Sequence, residues 1–298
     1  MSVAEPVRKN MGGAKRPPFR FRWNWLGVMP FLLFAGALLI LPTIVLGARS
    51  LTGPDGATTF ENYGNMATPV VIDSFRLSIK ISLITALVGG MFGFLLAWSM
   101  VLGGLPRPVR SLLSTFSGVA SNFAGVPLAA AFIATVGRVG LFTILLKAAG
   151  FDIYKVGFDL YSFIGISVVY LYFQFPLMVL VITPSIEGLK KEWREASENL
   201  GASTYQYWRH IALPVLMPSI LGAMILLFGN AFGAHATAFA LTGGNLRLAT
   251  ILIGQQISGD VLQNPGLGYA VAMGMVAVMA VSIGIYSILQ RRSERWLA

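Results

Sequence analysis

Six long stretches of the chain contain no Asp, Glu, Lys or Arg: Trp23–Ala48, Ile81–Pro106, Ser111–Gly137, Leu160–Ile186, His210–Leu246 and Val261–Gln290. Ionisable side chains are costly in hydrocarbon, and a helix that crosses a bilayer needs about 20 mostly apolar residues. Each stretch is long enough for one crossing. The longest, at 37 residues, is too short for two crossings and a turn, so it predicts one helix with polar shoulders. The pattern predicts an all-α integral membrane protein with six transmembrane helices. Composition agrees: of 298 residues 55% are apolar and only 11% charged, against about 25% charged in a soluble domain.

The charges between the stretches predict orientation. Fifteen of the 22 basic residues fall on the N-terminal arm, the second and fourth connections and the C-terminal tail. The positive-inside rule then places both termini in the cytoplasm. Residues 1–22 read as a disordered basic arm that contacts anionic headgroups, and 291–298 as a cytoplasmic tail. The stretch 23–48 is too long for a cleaved signal core, and Ala48-Arg49-Ser50 is a poor cleavage site, so it reads as a retained first helix. A core of five further helices is expected over 70–290. On the outside, Arg76 and Lys80 share one face at the start of the second helix, suited to snorkelling or to docking an external partner. Gly140–Ala149 is apolar but short, which suits a re-entrant or interfacial segment. Gly89/Gly93 and Gly229/Gly233 are four apart, as in close helix packing, and Pro127 and Pro176 are ordinary in membrane helices.

Chemistry is sparse. There is no Cys, and the two His residues, His210 and His235, make a metal site improbable on count alone. No phosphate-binding G-x-x-x-x-G-K-[ST] loop occurs, so the chain does not read as a P-loop ATPase. An ion-coupled secondary transporter would need a coupling carboxylate that the six stretches lack, and an intramembrane enzyme, with no Cys and no carboxylate in the span of His235, would need a Ser–His pair brought together across spans.

One connection differs from the rest. Glu187–His210 carries four acidic and four basic residues between the fourth and fifth stretches. Trp193, Ala196, Leu200, Tyr207 and Ile211 supply an apolar stripe at helical spacing. Gly201 stands where a helix would end in a left-handed residue. Ser203 with Gln206 three residues on has capping-box spacing, so a helix–turn–helix is expected. Pro214 and Pro218 redirect the chain as it enters the fifth helix.

Glu195-Ala196-Ser197, Gly201 and Ile211-Ala212-Leu213-Pro214 have the residues and spacing of the EAA loop, departing from it only at Ser197, where the motif has Ala. On this motif the chain resembles the permease subunits of binding-protein-dependent ABC importers, over about residues 70–290. The resemblance implies a MetI-like permease fold in a bacterial inner (cytoplasmic) membrane and a coupling loop over 187–213. It implies that the chain is no enzyme and binds no cofactor, with ATP used by a cytoplasmic ABC ATPase dimer. Glu195 would make the charge contact to that ATPase, Ala196 and Ser197 a close-packing surface, and Gly201 the turn. Ile211, Leu213 and Pro214 would fix the loop to the fifth helix.

The implied partners are the ATPase, an external binding protein, membrane lipids and a second permease, with a heterodimer favoured over a homodimer and no nucleic acid. The segments Tyr172–Met178, Glu192–Glu195 and Asn264–Tyr269 resemble the branch serving polyamines and aminoalkylphosphonates, with ferric iron, sulfate and thiamine carriers as alternatives. Asn230 and Thr237, seven apart on the expected fifth helix, share a face and are candidates to line the solute path. Both also suit interhelical hydrogen bonds.

Overall fold

The computed structural model describes residues 24–258 and 264–294, so the basic arm 1–22 and the last residues of the tail lie outside the described part. Among the described residues regular structure is helical, apart from one isolated bridge between Thr52 and Thr58. Among the described residues six helical segments are long and apolar enough to cross a membrane.

α1 (Gly27–Ser50) comes first. Through Val45 the chain is a unit of its own, in which none of residues 27–45 is buried. The other unit, Leu46 onward, contains the remaining elements. α2 (Pro69–Leu102) opens with proline at a position where its missing N–H costs nothing, and ends before Gly103. α3 (Arg107–Asn122), α4 (Gly125–Val136) and the short α5 (Leu141–Ala148) follow. α6 (Phe163–Glu187) is capped by Ser162, whose hydroxyl accepts the Gly165 N–H. Then come α7 (Lys191–Asn199), α8 (Thr204–Phe232), α9 (His235–Thr242), α10 (Ala249–Ser258) and α11 (Pro265–Glu294).

The centre is α2 packed on α6 and α8, with α3 against α6 and α11 against α8. Glycines permit that approach. A Cβ on Gly89 would lie 2.7 Å from the Cβ of Gln174, and one on Gly93 would lie 2.6 Å from the Cβ of Met178. These two therefore form the close-packed seam with α6. Gly229 and Gly233 do not form such a pair. A Cβ on Gly229 would meet Met279 of α11, whereas Gly233 ends α8.

Two expectations about continuity need correction. The third charge-free stretch is not one helix: α3 stops at Asn122 and α4 restarts at Gly125, with Phe123 and Ala124 between them. Hydropathy assigns the third crossing to 125–148, so the apolar 140–149 segment folds as α5 at the end of that crossing. The fifth stretch carries one crossing helix, α8, but its C-terminal shoulder is a second short helix, α9, after a break at Gly233-Ala234.

Candidate functional site

The charged connection folds as a hairpin of helices. α7 is closed by a complete glycine cap: Gly201 takes φ +77°, its N–H reaches Glu198 O at 2.9 Å, and Ala202 N–H reaches Ser197 O at 2.9 Å. Ser203 then opens α8 with a reciprocal capping box. Its hydroxyl accepts Gln206 N–H at 3.3 Å, and its own N–H donates to Gln206 Oε1 at 2.7 Å. The first turns of α8 contain a π segment, Trp208–Ala212, in which Leu213 N–H bonds Trp208 O. Pro214 is the local cause, since it has no N–H for His210 O and its ring crowds that carbonyl.

The sites named from sequence fall on this hairpin as follows. Glu195 is exposed and makes no ion pair with a described residue, while Arg194 pairs with Glu198 at 2.9 Å. Ala196 is exposed, and Ser197 is buried with its hydroxyl donating to Arg194 O at 2.7 Å. Ile211 and Pro214 are half-buried and Leu213 is 36% exposed. The apolar stripe is not closed over. Trp193, Ala196, Leu200, Tyr207 and Ile211 line an open cleft of about 630 Å³, and Leu200 is 88% exposed. A leucine held in that position by a fixed cap leaves an apolar surface for another protein to cover.

The hairpin is tied to neighbouring spans. Arg110 of α3 pairs with Glu187 at the end of α6. Trp208 packs edge-on against Trp98 of α2, with ring centroids 6.0 Å apart. One end of α2, α3, α6 and α8 therefore meets at the charged hairpin.

At the other end the two helix breaks lie side by side. Gly125 N–H, the first of α4, donates to Thr237 Oγ1 of α9 at 2.7 Å. Tyr170 of α6 donates its hydroxyl proton to Ala234 O at 2.7 Å. At about 1.5 Å per residue, Asn122 lies about 22 Å along α3 from Arg107. Asn122, Phe123, Ala124, Gly233 and His235 are all exposed in this chain. Irregular backbone that lies within a bilayer faces water or protein and not lipid.

Asn230 is exposed on α8, whereas Thr237 is 2% exposed with its hydroxyl taken by Gly125. The break between them separates the pair: they do not share one continuous helical face. Sequence reasoning missed α3. Ser111, Ser114, Thr115 and Asn122 are exposed on it, while Ser117 and Ala120 are buried. The signal was present, since half of residues 111–122 carry hydroxyls or an amide.

On the same side as the breaks, the 149–162 connection is pinned by Tyr154, which donates to Val136 O at 2.9 Å. Burial first, then the neighbouring Tyr161 and Asp159, hold its phenol above the usual tyrosine range, so it remains a donor.

Comparison with known proteins agrees with this geometry. The chain matches the family described as Binding-protein-dependent transport system inner membrane component over residues 20–295. It is 27% identical over 233 residues to a protein named as a probable sulfate transport system permease, CysT, of Chlorokybus atmophyticus, covering 77% of this chain and 75% of the relative. It is 25% identical over 283 residues to the spermidine/putrescine transport system permease PotB of Haemophilus influenzae, covering 90% and 94%. A solved bacterial ABC transporter that imports the acidic polysaccharide alginate superposes with a TM-score of 0.71 at 15% identity, over 90% of this chain and 95% of that one. The MetNI methionine ABC transporter superposes with a TM-score of 0.52 at 16% identity, over 76% and 99%. A charged hairpin left open to a partner, six crossings and a match spanning almost the whole length lead to one conclusion: the chain belongs to the binding-protein-dependent transport system inner membrane components, the multi-pass permeases of ABC importers.

Proposed function

We propose that this permease passes a small tetrahedral oxyanion, sulfate or an aminoalkylphosphonate, handed over by an external binding protein and driven by a cytoplasmic ATPase dimer docked on the 187–213 hairpin. The observation that carries the coupling assignment is the hairpin itself: a fixed glycine cap presents Glu195, Ala196 and exposed Leu200 beside an open apolar cleft. Both termini then lie in the cytoplasm, consistent with the excess of basic residues on that side. A second, different permease covers the exposed breaks at 123–124 and 233–234, and the solute passes between the two chains along Asn230 and the hydroxyl face of α3.

The oxyanion reading is supported by the match to CysT over 75% of its length, and the exposed hydroxyls, amides and His235 would supply hydrogen bonds where the six stretches hold neither carboxylate nor Lys or Arg. A polyamine is the second reading, favoured by the match to PotB over 94% of its length. Uptake of labelled sulfate, 2-aminoethylphosphonate and putrescine by cells carrying the full transporter, with and without this chain, separates the two. Loss of putrescine uptake alone would reverse the assignment. For the coupling role, Glu195→Lys should insert normally yet abolish uptake, and unchanged uptake by a stably expressed variant would remove it.

A further inference from the structure

Three crossings meet at the two breaks, where a buried cluster that includes Leu128, Tyr170, Ala231 and Leu241 is joined by two hydrogen bonds from side chain to main chain. Thr237 accepts from the first N–H of α4, and Tyr170 holds the carbonyl of Ala234. Both side chains are at most 2% exposed, while their main-chain partners, Gly125 and Ala234, are half-buried. Gly125 takes φ +74° at this point, and a Cβ there would stand 3.8 Å from the Cβ of Ala236. α8, the helix whose far end carries the break, begins at the coupling hairpin. From Leu213 to Phe232 it spans about 30 Å, so a tilt of the hairpin arrives at Gly233-Ala234 as a displacement.

We propose that the Gly125–Thr237 contact is a latch that is made in this state and released in the transport cycle. Thr237 and Tyr170 act as positioning residues: they hold α9 against α4 and α6 until movement of α8 pulls the joint apart. This rests on the proposed coupling role of the hairpin. A joint that only stabilised the fold would remain closed throughout turnover. A latch must open.

The chain has no cysteine, so Gly125→Cys with Ala236→Cys introduces the only two thiols in it, at a Cβ separation suited to a disulfide. The complete transporter, reconstituted in vesicles, is oxidised and bridge formation followed by gel mobility. The expected result is a bridge that forms in the resting state and lowers uptake by about tenfold or more, with full recovery on reduction of the same sample. A bridged permease that transports at the rate of its reduced form would overturn the latch.

Should the double variant fail to assemble, Thr237→Val and Thr237→Ser carry the test through ATP hydrolysis measured without binding protein or solute. Val, which loses the acceptor, should raise that idle hydrolysis about threefold or more, and Ser, which keeps it, should restore the native level. Equal rates for Val and Ser would overturn the proposal. Glu195→Lys keeps the two ideas apart: normal uptake by that variant sinks the hairpin reading, whereas free transport by the bridged pair sinks the latch.

Discussion

Leu213 N–H reaches back five residues to Trp208 O, which makes the entry to α8 a π turn. The same chain repeats the arrangement in α1, where Leu41 N–H bonds Gly36 O and Pro42 follows. In both places a Leu-Pro pair ends the widened turn, which identifies proline as the cause. Pro214→Ala restores the missing donor and lets the turn tighten to α geometry. One residue of twist is then lost, about 100° at 3.6 residues per turn, and the hairpin is re-aimed relative to α8. The variant should be as stable as the native protein or more so, yet lose most uptake and ATPase co-purification. A thermal melt with pull-down of the ATPase measures both, and native pull-down would refute the argument.

Gln174 presents a different problem. It is fully buried on α6, donates from Nε2 to Leu227 O at 2.9 Å, and leaves Oε1 without a partner among the described residues. An unpaired buried acceptor costs about 1–3 kcal/mol, more than the single bond returns. Gln174→Met, of similar length, should therefore leave the melting temperature of the purified complex unchanged or raise it. Gln174→Ala should lower stability by about 2 kcal/mol or more, because it opens a cavity beside Gly89. A large loss in the Met variant would mean that Oε1 has a partner in the assembled transporter.

How much of this was legible in the sequence follows from which forces act locally. The six crossings were readable because charge is excluded from hydrocarbon one residue at a time. The hairpin was readable because caps are short-range chemistry, and Gly201, Ser203 and Gln206 lie within six positions of one another. The breaks were not. Phe123-Ala124 and Gly233-Ala234 carry no proline or charge, and they are held open by partners far along the chain, Thr237 for Gly125 and Tyr170 for Ala234. Placing Asn230 and Thr237 on one face assumed a continuous helix, and only the long-range bonds show otherwise. Leu200 is the reverse case: its helical spacing placed it on an apolar stripe, and the structure leaves it 88% exposed beside the open cleft.

The seam between α2 and α6 gives a paired test. At Gly93 an added Cβ would stand 2.8 Å from Phe175 O as well as against Met178, so backbone has to move. At Gly118 on α3 nothing lies within 4 Å. Gly93→Ala should destabilise by about 1–3 kcal/mol and lower the yield of folded complex. Gly118→Ala should leave yield unchanged, read by size-exclusion profile of the extracted transporter. Equal behaviour of the two would show that the helices separate to admit the methyl group.

The hairpin cap supplies the last prediction. Gly201 at φ +77° tolerates asparagine but not a β-branched residue, which pays about 1–2 kcal/mol in the left-handed region. The cost falls on a surface hairpin, so the spans should remain folded in Gly201→Val while α7 loses its fixed orientation. Leu200→Glu attacks the same surface without straining it, since the side chain is 88% exposed and touches little of its own chain. Both variants should insert at native levels and retain the native stability of the spans within about 1 kcal/mol. Both should lose ATPase binding, whereas Gly201→Asn should keep most of it. Affinity capture of the ATPase on immobilised permease measures all three. Native capture by Leu200→Glu would show that the apolar cleft beside α7 is not where the ATPase sits.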